Sequence, residues 1–93
     1  MSKFTALDTF MSAYLGPSSL YICGSTDIDK CIDYYIKTEG ISIHQELIYE
    51  IDEYMTQFKN DEELTNNFEK RYRHSNYRLP AGEFLKEIQR KIN

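Results

Sequence analysis

Ser42-Ile-His-Gln-Glu-Leu-Ile-Tyr-Glu-Ile-Asp-Glu-Tyr-Met-Thr-Gln-Phe58 decides the fold. Its apolar residues Ile43, Leu47, Ile51, Tyr54, Met55 and Phe58 return every three or four positions, the period of a helix that buries one face. Ser42 followed three residues later by Gln45 is a capping-box pattern, which places the helix start there.

The same period runs outward in both directions. Upstream, Ile28, Cys31, Ile32, Tyr35 and Ile36 form a stripe behind a cap at Thr26 or Asp27, and Gly40 ends that helix. Further back, Phe4, Leu7, Met11, Tyr14 and Leu15 line a first helix over about residues 4 to 15, which Gly16-Pro17 stops. Leu20, Tyr21 and Ile22 fall in a Ser/Gly/Thr-rich loop and are expected to pin it to the core. Downstream, Asn60 with Glu63 is a second capping box, with Leu64, Phe68 and Tyr72 facing inward. A loop from His74 to Leu79 precedes Pro80 at a helix start, and Phe84, Leu85, Ile88 and Ile92 complete a fifth helix in which Gly82 weakens the first turn. Strict alternation is nowhere sustained, so the sequence predicts an all-α compact bundle of about five short helices.

The chain has 93 residues, 41% hydrophobic and 28% charged with 8 Tyr and 5 Phe. That composition is too apolar for disorder, and the length suits a single helical domain over residues 1 to 93. Cys23 and Cys31 lie too far apart for a CxxC redox pair or a zinc knuckle, and two free thiols fit a reducing cytoplasm. The amino-terminal stretch lacks the continuous apolar run of a signal peptide or membrane span.

Catalytic and metal chemistry find little support. His44 reads as a helix-terminal or packed residue, and His74 as a loop residue beside Arg71, Arg73 and Arg78. Asp27, Asp29 and Asp33 lack the glycine and terminal glutamate of a calcium loop, and Glu46, Glu50 and Glu53 lack the ExxH partner of a di-metal bundle and read as a solvated face. The four glycines are isolated, so no phosphate loop is present. No enzyme activity, cofactor or metal is therefore expected.

Charge is unevenly spread. Residues 27 to 63 carry 11 acidic side chains against three Lys, whereas residues 70 to 93 carry seven basic and two acidic ones, which predicts an electrically two-sided molecule. Projected at about 100° per residue, the central helix presents Gln45, Glu46, Tyr49, Asp52, Glu53 and Thr56 opposite its apolar stripe. The preceding helix presents Asp29, Asp33 and Tyr34. Tyrosines among carboxylates suit a cationic protein partner, because tyrosine buries much area for little entropy and the carboxylates steer Lys and Arg. Asp29, Asp33, Tyr34, Glu46, Tyr49, Asp52 and Glu53 are the candidate partner-binding residues. An alternative is a nucleic-acid-binding module in which Lys70, Arg71, Arg73, Arg78, Arg90 and Lys91 grip phosphates and Tyr72 or Tyr77 stacks on bases. The net charge of −4 opposes it. A helical adaptor module is a further alternative.

The chain resembles the small helical immunity proteins of bacterial contact-dependent growth inhibition systems. The resemblance rests on Phe10-Met-Ser-Ala-Tyr14-Leu, Ile28-Asp-Lys-Cys-Ile-Asp-Tyr-Tyr-Ile36, Glu46-Leu-Ile-Tyr-Glu-Ile-Asp-Glu-Tyr-Met55, Asp61-Glu-Glu-Leu64, Tyr72 and Tyr77, and the closing Pro80-Ala-Gly-Glu-Phe-Leu-Lys-Glu-Ile88. Departures are Gly16-Pro17, where the family often carries aromatic and acidic residues, and Phe84, where it usually has Trp. The resemblance implies a cytoplasmic protein that binds the toxic C-terminal domain of a matching toxin, often a nuclease acting on tRNA or DNA. It carries over no binding residue, because immunity surfaces differ between members.

Overall fold

The structure, a computed structural model, describes residues 3–93. The first helix, α1 (Thr5–Thr9), runs directly into a π-helical stretch, Phe10–Tyr14, so the expected first helix is present with a widened second half. Phe4, Leu7, Phe10, Met11 and Leu15 are buried along it. Gly16 ends it at close quarters, since a Cβ there would stand 1.9 Å from the Ser12 carbonyl oxygen. Carbonyls left over by the π-helical stretch are satisfied from far along the chain. Ser75 Oγ donates to Met11 O at 2.8 Å, and the Asn76 N–H donates to Leu15 O at 2.6 Å.

The expected loop at Leu20, Tyr21 and Ile22 is instead a short helix, α2 (Ser19–Cys23), closed by Gly24 at φ 72°. It does not pin its apolar residues to the core. Leu20, Tyr21 and Ile22 are exposed, Tyr21 by 91%, and the inward residue is Ser19. Three consecutive apolar residues on a helix cannot share one face, so this turn buries its small residue and turns the large ones outward.

In α3 (Ile28–Thr38) the Asp27 side chain accepts from the Lys30 N–H, and Cys31, Ile32 and Tyr35 are buried as the stripe requires. Glu39 is the C-cap that closes α3, and Gly40 follows it in the short junction to the next helix. Gly40 is the N-cap of α4 (Ile41–Met55), which therefore starts ahead of Ser42, and the Ser42–Gln45 capping box does not form. With the start moved back, Ile43 falls in the exposed first turn, while Leu47, Ile51 and Tyr54 are buried as expected. The Asn60 side chain accepts from the Glu63 N–H at 2.9 Å to open α5 (Asp61–Arg71), and Glu63 reaches back to the Lys59 N–H at 3.0 Å. Leu64, Phe68 and Tyr72 face inward. At α6 (Ala81–Ile92), Pro80 offers no capping side chain, so Thr65 Oγ1 of α5 accepts from the Ala81 N–H at 3.3 Å. Gly82 is buried at that crossing, where a Cβ would meet Asp61 and Leu64 of α5 at 3.4 Å.

The described residues form an all-α bundle with one more helix than expected, measuring 36 × 27 × 26 Å. Helix α4 is its spine, with α1 packed on one flank and α6 on the other. Helix α5 lies on α6, while α2 and α3 close over the π-helical stretch. An unbroken set of aromatic edge contacts, Phe4 to Tyr54 at 5.4 Å, Tyr54 to Tyr72 at 6.4 Å, Tyr72 to Phe68 at 5.0 Å and Phe68 to Phe84 at 6.3 Å, joins four of the helical segments.

Candidate functional site

The acidic residues singled out by projection have different fates. Asp33, Glu46 and Asp52 are exposed, Glu53 is half-buried, and Tyr34 and Tyr49 are exposed by 38% and 63%. Asp29 is held within the molecule, taking both guanidinium nitrogens of Arg78 at 3.1 Å and the Lys91 ammonium at 2.7 Å. Arg78, first among these, keeps the Asp29 carboxyl down at about 2. Asp52 accepts from Gln89 Nε2 at 2.8 Å, and the same amide donates to Ile48 O at 3.1 Å, tying α6 to α4. Asp52 also lines a shallow depression with Lys86 and Arg90. The basic end of the sequence thus folds back onto part of the acidic stretch, and the expected two-sidedness is partly cancelled there.

Glu50 departs from the solvated face expected of the Glu46, Glu50 and Glu53 series. It is 8% exposed and accepts the Leu7 N–H at 3.0 Å. The first-turn amides of α1 have no partner within their own helix, and this carboxylate meets one of them.

The basic end offers little of what stacking on bases requires. Tyr72 is buried, its hydroxyl donating to Asp8 at 2.8 Å, and Tyr77 packs edge-on against Phe68 at 5.3 Å. Arg71 forms a fork with Asp8 at 3.0 and 2.9 Å. The π faces and cations named for nucleic acid are to this extent used inside the fold.

Sequence reasoning missed a groove between α1 with its π-helical extension on one side and the α3–α4 junction on the other. It holds about 220 Å³ and is lined by Phe10, Tyr14, Tyr35, Ile43, Glu39 and Glu46, among others. Phe10 meets Tyr35 edge-on at 4.8 Å, and Tyr14 meets Tyr35 edge-on at 5.0 Å. The wider π-helical turn sets Phe10 and Tyr14 nearly parallel, 25° apart at 6.1 Å. The Tyr14 hydroxyl donates to Glu39 Oε1 at 2.7 Å, and its pKa rises through burial and the Glu39 charge. Tyr34 stands beside the groove, its ring 6.2 Å from that of Tyr14. Tyr34 and Glu46 are therefore the two candidates that the fold brings to one place. The individual residues were all visible in the sequence, but their meeting depends on how α1 crosses α3 and α4.

His44 packs its ring 5.3 Å from Tyr35, with Nε2 buried and unbonded, as a packed helix-start histidine does. No group of three or more His, Cys, Asp or Glu side chains among the described residues is arranged to hold a metal ion. No helix among them is long and apolar enough to cross a membrane. Residues 3–92 match the family described as CdiI immunity protein. The chain belongs to the CdiI immunity protein family. The match spans every helix from α1 to α6, so the groove, the exposed tyrosines and the pairing of Asp29 with the carboxy-terminal cations all lie within the CdiI-type region of the chain. No curated protein and no solved structure matches the chain.

Proposed function

We propose that this CdiI-type chain protects the cell that makes it by binding the toxic C-terminal domain of a matching contact-dependent growth inhibition toxin in the cytoplasm. The toxin domain is a nuclease with a basic surface, and the immunity protein works by binding and needs no chemistry of its own. The observation that carries this reading is the family match along residues 3–92. Support for the chemistry of the partner comes from Tyr34 and Tyr49, exposed on helices whose outer faces carry Asp33, Glu46, Asp52 and Glu53. A nuclease must display Lys and Arg to grip a polyanion, and an acidic face associates quickly with such a surface and covers it.

The experiment is expression of this chain in cells exposed to the toxin domain encoded immediately upstream of it, followed by co-purification of the pair. Protection with a stoichiometric complex supports the reading. Survival no better than that of unprotected cells, with no complex, ends it.

A further inference from the structure

The groove between α1 and the α3–α4 junction has features that a flat solubilising face lacks. Its floor is aromatic and its rim is anionic. Phe10 and Tyr35 are buried at its base, Tyr14 is half-buried on its wall, and Glu39 and Glu46 stand at its edge. Glu39 Oε1 is oriented by the Tyr14 hydroxyl at 2.7 Å, and its second oxygen accepts no hydrogen bond among the described residues. No Lys, Arg or His among the described residues forms an ion pair with Glu39 or Glu46. The carboxylates that the fold pairs internally with cations, Asp8, Asp29 and Glu87, lie elsewhere.

We propose that this groove seats an arginine side chain of the protein partner, its guanidinium lying against the Tyr14 ring and forked onto Glu39 and Glu46. Three features select arginine. The space of about 220 Å³ suits one long side chain. A planar guanidinium stacks on an aromatic face and donates to two carboxylates at once, which a compact ammonium does less well. A partly desolvated aromatic pocket flanked by carboxylates rewards a cation more than an open surface does, and Arg and Tyr are among the residues enriched at binding hot spots. This inference rests on the proposed immunity role for its partner, but not for its chemistry.

The test uses the intact purified chain and needs no toxin. N-acetyl-arginine methylamide is titrated at millimolar concentrations while the aromatic and amide resonances are followed by NMR, with the neutral citrulline and the cationic lysine analogues as parallel probes. The expected result is saturable shifts at the Tyr14 and Tyr35 rings and the Glu46 amide with the arginine probe. The citrulline probe should bind about tenfold or more weakly, and the lysine probe between the two. The double variant Glu39→Gln, Glu46→Gln keeps its hydrogen-bonding groups and removes only charge, so its unliganded spectrum should remain that of a folded protein while the response falls about tenfold. Shifts of equal size with citrulline, a stronger response to lysine, shifts mapping to another face, an unchanged response in the folded double variant, or no shift at all would each overturn the proposal. The groove can fail this titration while protection and complex formation stand, and protection can fail while the groove still binds the probe, so the two readings are separable.

Discussion

The Glu50 carboxylate of α4 accepts the backbone N–H of Leu7 in α1 at 3.0 Å, across 43 residues of sequence, while itself only 8% exposed. A helix whose N-cap, Phe4, makes no side-chain cap bond thereby gains an N-terminal acceptor from another helix. Removing it leaves a buried amide unpaired. Glu50→Ala is expected to cost about 1–3 kcal/mol in urea denaturation, and Glu50→Gln, which keeps an acceptor, distinctly less. Equal losses from the two would mean that the packing of the side chain, not its oxygen, holds α1 in place.

Gly16 makes a comparably specific contact. A Cβ at this position would stand 1.9 Å from the Ser12 carbonyl oxygen, so the backbone itself must move to admit alanine. Gly16→Ala should destabilise by about 2–4 kcal/mol, whereas Gly40→Ala, where a Cβ meets nothing within 4 Å, should change stability by less than about 1 kcal/mol. Thermal melts of the two variants side by side give the comparison.

Asp29 links stability to pH. Its carboxyl is lowered from 3.8 to about 2 by Arg78 and Lys91. A depressed folded-state pKa stabilises the fold above the unfolded value and loses that contribution as pH falls through about 2. Because the side chain is 48% exposed, solvent and salt screen the pair, and Asp29→Asn should cost no more than about 1 kcal/mol at neutral pH. The difference from the wild type should narrow between pH 3.8 and about 2, and also with added salt. Denaturant titrations at neutral and acidic pH follow it.

Cys31 should be chemically quiet. Burial first, then the neighbouring Cys23, pushes its thiol up to about 12, and its Sγ–H donates to Ser25 O at 3.3 Å. Thiolate is the reactive form, so labelling of Cys31 by a disulfide reagent near neutral pH should proceed at the rate at which the fold opens and accelerate with denaturant. Rapid labelling in the Cys23→Ser variant without denaturant would contradict this.

Tyr49 and Glu46 separate area from charge at the proposed interface. Tyr49→Ala is expected to weaken toxin binding by about 2 kcal/mol or more, while Glu46→Ala alone chiefly slows association and flattens its salt dependence because Glu39 remains beside it. Kinetic binding measurements at two salt concentrations distinguish the effects. Negligible changes from both would place the interface elsewhere on the molecule.

The sequence by itself determined the helical class, the buried stripes of α3 through α6 apart from Ile43, the cap at Asn60, and a cap for α3 at Thr26 or Asp27, of which the structure uses Asp27, because each depends on residues within a turn or two of one another. It also carried the family resemblance. Its reading went astray where a residue's role is set by what packs opposite. Glu50 follows the spacing of a solvated face, yet the approach of α1 buries it on a free amide. Leu20, Tyr21 and Ile22 are apolar, yet α2 buries Ser19 in their place. Asp29 looks like a surface charge until α6 brings Lys91 against it, 62 residues away. Tyr14, Glu39 and Glu46 become neighbours in a groove only when α1 crosses the α3–α4 junction. Helical periodicity fixes which face of each helix is apolar, but the angle and partner of each crossing come from the fit of side chains on different helices, and that fit decided where charge is buried and where a binding groove opens.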